Sequence, residues 1–430
     1  MINTGMAILV MLAAAEGGLS LSKKEAVFEH DMRARFLLDG QALCKLKLPT
    51  PTRGFIDYNM PDNAYMTGIR LGTLAMKYAV TGMPEDRAAV SEAIRALHLL
   101  CTVSGVPGLL ARAAWPRERP LADDGIWRDS ACGKYRWRGD VSSDQVDGVL
   151  FGFSLAHALA ADDAEKALIA ADAAAMVDHI LGNNLRIVDA DGKPTRWGNY
   201  TPAYVRRMER INALLWLQAL KVTHQVTGED RFDALYRQYA VEEGYAELSV
   251  MARLLLNPTR RGAVNHSDDV LLFMAYENLL RLETDPALRE HYLAGFRRMW
   301  AGNDKFPGVK PEANPIYAFL AAKYLDDDSS VAPAIDTLRW FPLDMKWNQD
   351  TIAAYAQQLG FTYDPAPQSP EPEKDQPLPV DRRAKSWSAW VMDPYAPGED
   401  RSIDAPIEYN GHDFLLGYWL GRYYGYIPTD

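Results

Sequence analysis

Cysteine is scarce in this 430-residue chain, and Cys44, Cys101 and Cys132 form neither a CxxC pair nor a Cys/His group. So sparse and odd a set indicates neither a disulfide framework nor a structural zinc site. Positive charge is short as well: 46 Lys and Arg stand against 57 Asp and Glu, a net charge of −11. That balance argues against nucleic acid or an anionic membrane surface as partner, since either needs a basic footprint. No apolar run is long enough to span a bilayer, so no membrane span is expected. Gly-rich phosphate loops, HExxH and nucleophile elbows are missing too. No cofactor and no metal is therefore expected. DADGKP (189–194) lacks the later ligands of a calcium loop and reads as a turn. LDDDSS (325–330) lacks the spacing of a diphosphate-metal motif.

Aromatic residues are plentiful, with 11 Trp and 21 Tyr, and rings of this kind line sugar sites as well as cores. The apolar share of 48% and charged share of 24% are those of an ordinary globular protein. Near the start, the apolar stretch Met6–Leu12 and the small residues Ala13–Ala15 look like a secretory signal without its basic n-region. The expectation is a signal over residues 1–15, export to the periplasm or beyond, and a mature chain starting after Ala15.

Six times along the chain a polar or acidic loop runs straight into an apolar, helix-periodic segment. The junctions are YNMPDN (58–63), WRGDVSSDQ (137–145), RWGNYTP (196–202), VNHSDD (264–269), VKPEANP (309–315) and IEYNGHD (407–413). Between consecutive junctions lies one further helical segment that returns the chain. Spacing and caps predict helices over 22–45, 62–82, 85–104, 144–161, 164–182, 203–227, 230–256, 267–283, 286–301, 314–325, 331–338 and 411–425. Residues 106–143 read as a long irregular excursion, and 186–199, with its Asp-Gly turn, as a β-hairpin. The Pro-rich stretch 364–380 is a surface loop. Small, apolar helices alternating with more polar ones predict an all-α (α/α)6 toroid, one domain over 16–430, with long loops at one mouth. Asp62, Asp144, Tyr200, Asp269, Asn314 and Asp413 would then share one rim.

The densest junction offers Asp140 before a helix, Ser142 or Ser143 to cap it, and Asp144 in its first turn, with Asp147 three residues on near the same face. Capping and dipole compensation account for one serine and one aspartate. They do not account for the approach of Tyr135, Trp137 and Arg138. VNHSDD repeats the pattern with His266, Asp268 and Asp269, and a histidine beside two carboxylates suits proton transfer. Asp140, Asp144, Asp268, Asp269 and His266 are the candidate catalytic residues. Candidate substrate contacts are Asp62, Asn63, Arg112, Trp137, Arg196, Trp197, Asn199, Tyr200, Asn314, Tyr409, His412 and Asp413. Together these are what a sugar needs: flat rings for pyranose faces, amides and acids for hydroxyls, and a guanidinium for a carboxylate.

The six-junction layout resembles that of the (α/α)6-toroid carbohydrate-active enzymes, which include glycoside hydrolases, polysaccharide lyases and sugar epimerases. GDVSSDQVDG, NHSDD and EYNGHDFLLGYWLGRYYG look like segments of uncharacterised bacterial secreted proteins of this kind. The resemblance implies a fold and an oligo- or polysaccharide substrate, and it carries over no catalytic residue. A glycoside hydrolase working through paired carboxylates is the first expectation. A polysaccharide lyase or uronate epimerase would instead use Arg112, Arg196, His266, Tyr409 and His412. A non-catalytic glycan-binding protein would keep the aromatics and tolerate loss of the acids.

Overall fold

Some helices in this protein start at capping residues, and some stop where the backbone turns left-handed. Asp162 and Glu165 close a reciprocal capping box, and Gly82 and Gly228 end their helices at φ 64° and 69°. The structure, a computed structural model, describes residues 18–254, 264–303, 306–343, 349–362, 368–383, 390–395 and 407–429. The proposed signal, its cleavage point and residues 364–367 of the Pro-rich loop lie outside the described residues.

The α-helices among these are α1 (Leu21–Arg35), α2 (Asn63–Thr81), α3 (Pro84–Thr102), α4 (Ser143–Leu159), α5 (Asp163–Gly182), α6 (Pro202–Arg207), α7 (Ile211–Thr227), α8 (Asp230–Arg237), α9 (Tyr245–Ser249), α10 (His266–Leu282), α11 (Pro286–Ala301), α12 (Pro315–Leu325), α13 (Val331–Trp340), α14 (Gln349–Gln358) and α15 (His412–Tyr423). The fold is mostly α, with a few small sheets. Among the described residues, no helix is long and apolar enough to cross a membrane.

Six helices pack in a cycle: α2 on α4, α4 on α7, α7 on α10, α10 on α12, α12 on α15, and α15 back on α2. They are buried on nearly every face, as helices apolar all round must be. Against their flanks lie α3 on α2, α5 on α4 and α7, α8 on α7, α11 on α10 and α12, α13 on α12, and α1 on α15. The α2–α4 contact is the tightest. A Cβ on Gly68 would sit 2.0 Å from the carbonyl oxygen of Gly148, so glycine alone lets these backbones meet.

Several expectations need correction. The helix foreseen over 22–45 stops at Arg35. Leu37–Leu38 then pairs with Gln41–Ala42 around Asp39 and Gly40, both at positive φ. An Asp-Gly pair specifies that tight hairpin turn, and it overrides helical spacing. The excursion 106–143 is not irregular throughout: Tyr135–Arg138 lies between Ala113–Pro116 and Trp127–Asp129 in an antiparallel sheet. Asp123 fixes its connecting loop, accepting from Met60 N at 2.7 Å, Gly125 N at 2.9 Å and Trp127 Nε1 at 3.0 Å. The segment 203–227 is broken between α6 and α7, and 230–256 breaks at a π-turn and at Gly244, φ 70°. The hairpin over 186–199 forms as expected. A further sheet joins distant parts of the chain: Lys45–Lys47 lies between Asp57–Asn59 and Ile407–Tyr409, tying the approach to α2 to the approach to α15.

Candidate active site

Mutual electrostatic influence shows which junctions meet. Tyr65, in the first turn of α2, feels the charges of Asp147, Asp144, Asp62 and Asp413, so the starts of α2, α4 and α15 are neighbours. Asp268 at the start of α10 feels Asp144 and Glu209, the latter just before α7. Tyr317 in the first turn of α12 feels Asp269, Glu312 and Tyr65. All six cyclic helices thus point their N-termini at one end, where free N–H groups and partial positive charge favour acidic or hydroxyl-rich groups.

At this end, several carboxyls stand within one another's electrostatic reach. Asp62 is the N-cap of α2 but makes no cap bond. Its carboxylate instead accepts from Gln145 Nε2 at 3.0 Å and faces Arg112 at 3.4 Å, with the side chain 37% exposed. Gln145 also accepts from Ser142 N at 2.8 Å, so the α4 cap holds Asp62 in place. Asp144 is half-buried. Burial and the charge of Asp62 raise its pKa, against the pull of Arg112. Glu209, which sequence reasoning passed over, is raised by burial and by Asp144. Asp268 is half-buried and accepts from Asn265 Nδ2 at 2.7 Å. Burial, then the charges of Asp144, Glu209 and Asp269, push its pKa up to about 8. A carboxyl at that value keeps its proton at neutral pH.

Beside this acidic arc lies a set with the opposite character. Both oxygens of Asp269 accept from Arg253, each at 2.7 Å, in a pair that is almost wholly buried. Burial would raise the Asp269 pKa, but the guanidinium outweighs it and holds it low. His266 Nδ1 lies 3.5 Å from Asp269, and Nε2 lies 3.7 Å from Asp393. Burial would lower its pKa, yet the bond to Asp269 and the nearby Glu312 raise it. Asp269 is therefore committed to Arg253 and His266, and the expectation that it does acid–base chemistry is corrected. The ligand atoms of His266, Asp269 and Glu312 lie within 4.8 Å of one another, a spacing a metal could use. Arg253 already supplies the positive charge that a metal would bring there, and it holds both Asp269 oxygens.

Asp140 is also corrected. It stands at φ 55°, accepts from the backbone N–H of Arg196 at 3.0 Å, and its own N–H donates to Asp189 at 2.8 Å. It pins the 186–199 hairpin to the α4 approach. Arg112 donates to the carbonyls of Asp140 at 2.5 Å and Pro61 at 2.9 Å, so much of its fork is spent on loops. Asn63 is buried, accepting from Cys44 N at 2.8 Å and donating to Gln41 at 3.2 Å, which removes it as a substrate contact. Trp137 is 1% exposed beneath Arg128 and cannot stack on a ligand. Tyr200 is wholly buried, its ring 5.3 Å from that of Trp216. Asn314 is buried as the N-cap of α12, accepting from Ile316 N at 2.9 Å.

Of the other foreseen contacts, Trp197, Asn199 and Tyr409 keep access, whereas His412 and Asp413 do not. Trp197 is 45% exposed with Arg196 stacked on it at 4.6 Å, and Tyr409 is half-buried beside Lys45. Asn199 accepts from Thr201 N at 3.1 Å and from its hydroxyl at 2.8 Å. His412 is buried against Asn410, 3.1 Å away, and Asp413 is buried in the next position. Arg253 escaped notice because it lies on a connection outside the junction it serves. Glu312 sits within VKPEANP, where only Asn314 was singled out.

The chain matches no protein-family model, and no curated protein matches it. Among the solved structures similar to it are two enzymes of carbohydrate chemistry. One is a sugar epimerase from a ruminal bacterium, at TM-score 0.43 and 10% identity, over 93% of this chain and 98% of that one. The other is a metagenome-derived glycoside hydrolase family 9 endoglucanase, at TM-score 0.47 and 14% identity, over 94% of this chain and 80% of that one. At such scores neither likeness carries an argument about activity.

Proposed function

We propose that this protein is a carbohydrate-active enzyme of the (α/α)6-toroid kind, a glycoside hydrolase whose working carboxyls are Asp268 and Asp144. The helix cycle supports the toroid. The reading rests on one observation: two half-buried carboxyls, in the first turns of α10 and α4, stand close enough for the charge of Asp144 to help keep Asp268 protonated. Two acids with separated proton affinities are what glycoside hydrolysis requires. Asp268 would give its proton to the departing glycosidic oxygen. Asp144, ionised, would take a proton from attacking water or attack the sugar itself. Asp62, Glu209 and Trp197 are left for sugar hydroxyls and ring faces.

The lyase or epimerase reading fares less well. It needs a tyrosine or histidine ready to accept a proton. Burial and neighbouring carboxylates raise the pKa of Tyr65, Tyr200 and Tyr409 above the ordinary phenol value, and the bond to Asp269 raises that of His266 against the effect of burial. We also propose export, which N-terminal sequencing of native protein tests.

The test is a screen of oligo- and polysaccharides, with products scored for new reducing ends and for ultraviolet absorbance. Reducing ends without absorbance are expected. Asp268→Asn and Asp144→Asn should then each lower turnover by about a hundredfold or more with thermal melting preserved. Stable variants of both with normal turnover would overturn the assignment, and absorbance from an unsaturated uronate would replace hydrolysis with elimination.

A further inference from the structure

Asp147 lies one helical turn deeper than Asp144 on α4. It is 1% exposed, and neither of its carboxyl oxygens makes a hydrogen bond to a described residue. Around it, Gln218 of α7 is wholly buried with both amide atoms unpartnered, and the hydroxyl of Tyr200 is unpartnered too. Buried polar groups in native proteins are paired with few exceptions, and each exception calls for a reason. Three of the residues that carry such exceptions, Asp147, Gln218 and Tyr200, meet directly behind a proposed catalytic carboxyl.

Stability does not supply the reason. An unbonded buried carboxyl is destabilising even when neutral, and far more so when ionised. The surroundings decide which form it takes. From α2 it is faced by Tyr65, from the segment before α7 by Tyr200, from α7 by Gln218, and on its own helix by Asp144. No cation is among them; burial, then the like charge of Asp144, raises its pKa, while Gln218 beside it acts the other way. Burial without a cation favours the neutral form, a carboxylic acid with one O–H to donate. Side chains three apart on a helix have Cβ atoms about 5–6 Å from each other, within reach of a single-water hydrogen bond.

We propose that Asp147 is a positioning residue for Asp144: it keeps its proton and donates it, through one water, in a hydrogen bond that holds Asp144 in the ionised form. This rests on the reading of Asp144 as base or nucleophile given above. The donor would oppose the influences that push Asp144 the other way, namely burial and Asp62. Arg112 faces Asp144 from the loop, and Tyr65, Tyr200, Glu209 and Asp268 face it from the other elements packed around it.

The test needs no substrate. The carboxyl carbon of Asp144 is followed by NMR against pH in protein labelled at aspartate, its signal assigned by loss in Asp144→Asn. In Asp147→Leu, which has no donor, the titration of Asp144 should move up by about one pH unit. In Asp147→Asn, whose amide can still donate, it should stay within about 0.3 unit of the parent. Should leucine not be accommodated, the smaller Asp147→Val reads the same shift. Thermal melting of the Asn and Leu variants should be unchanged or higher, whereas a purely structural role would lower it. Titration of Asp144 that is the same in all forms, or clear destabilisation by both substitutions, would overturn the proposal. If no carbohydrate is cleaved but the titration shifts as described, the hydrolase reading fails and the Asp147–Asp144 link stands. With a substrate in hand, the acid limb of the kcat/KM profile should move with the titration.

Discussion

At the start of α10, Asp268 accepts a bond from Asn265 but lies among the like charges of Asp144, Glu209 and Asp269. Further along the same helix Glu277, 1% exposed, accepts from Tyr424 OH at 2.6 Å and Tyr324 OH at 2.8 Å, with Arg281 Nε 3.6 Å away. Helix α4 repeats the contrast. Asp147 near its start has no hydrogen bond to a described residue, while Ser154 accepts from Arg281 Nη2 at 2.6 Å and bonds Gln225. The two helices are thus locked together at one end and left with unspent acidity at the other. Polar groups that are paired hold a fold, and those held unpaired against their own electrostatics are where function is expected.

Glu277→Gln tests the locked end and should show the largest effect on stability of the substitutions that follow. The amide can serve one tyrosine as acceptor but meets the other with a donor. A loss of about 1–3 kcal/mol is expected in denaturant unfolding, with the pH profile of turnover unmoved. A shifted profile would break the comparison, because it would make the far end part of the site.

Asp268→Asn should act in the opposite sense, by an amount that grows as pH rises from about 4 to about 8. In the folded protein the pKa of Asp268 is raised to about 8 from an ordinary 3.8. Its stabilising contribution is therefore complete below the ordinary value and declines as pH rises through the folded one. The parent should lose stability between about pH 4 and pH 8 by a term that the Asn variant lacks. For a half-buried group, about 1 kcal/mol is a reasonable scale once solvent screening is allowed for. Equal pH slopes in the two proteins would show that Asp268 is not held protonated.

The sequence made this contrast half legible. Each polar junction was readable because capping residues and helical periodicity lie next to one another, as in SSDQ before α4 and NHSDD at α10. The turn that ends α1 was also written out, in Asp39-Gly40, but the helical spacing on either side masked it. Trp137 carried its own correction, since alternation in YRWR is the period of a strand and puts one ring inward. What could not be read was pairing across the chain. Nothing near Asp269 announces Arg253, and nothing near Asp268 announces Glu209. Both acids look alike at the sequence level, and only their distant partners make one a bound anion and the other a neutral acid.

Asp140 gives the sharpest version of that lesson with the smallest expected effect. It precedes Asp144 in the same acidic stretch, and by composition either could carry the chemistry. In the structure, its carboxylate accepts from the Arg196 N–H and its carbonyl from Arg112. These bonds assign it to loop geometry. Asparagine keeps a side-chain acceptor for Arg196 and leaves the carbonyl untouched, so Asp140→Asn should shift stability by no more than about 0.5 kcal/mol. Turnover, if Asp144 and Asp268 do the chemistry, should stay within about twofold of the parent, against the hundredfold scale of losing a general acid or base. Asparagine also tolerates left-handed backbone almost as well as aspartate, so the φ of 55° adds no strain. A large fall in turnover with the melting temperature intact would move the working carboxyl from Asp144 to Asp140. The inner residue Asp147 would then have lost the partner it is proposed to position.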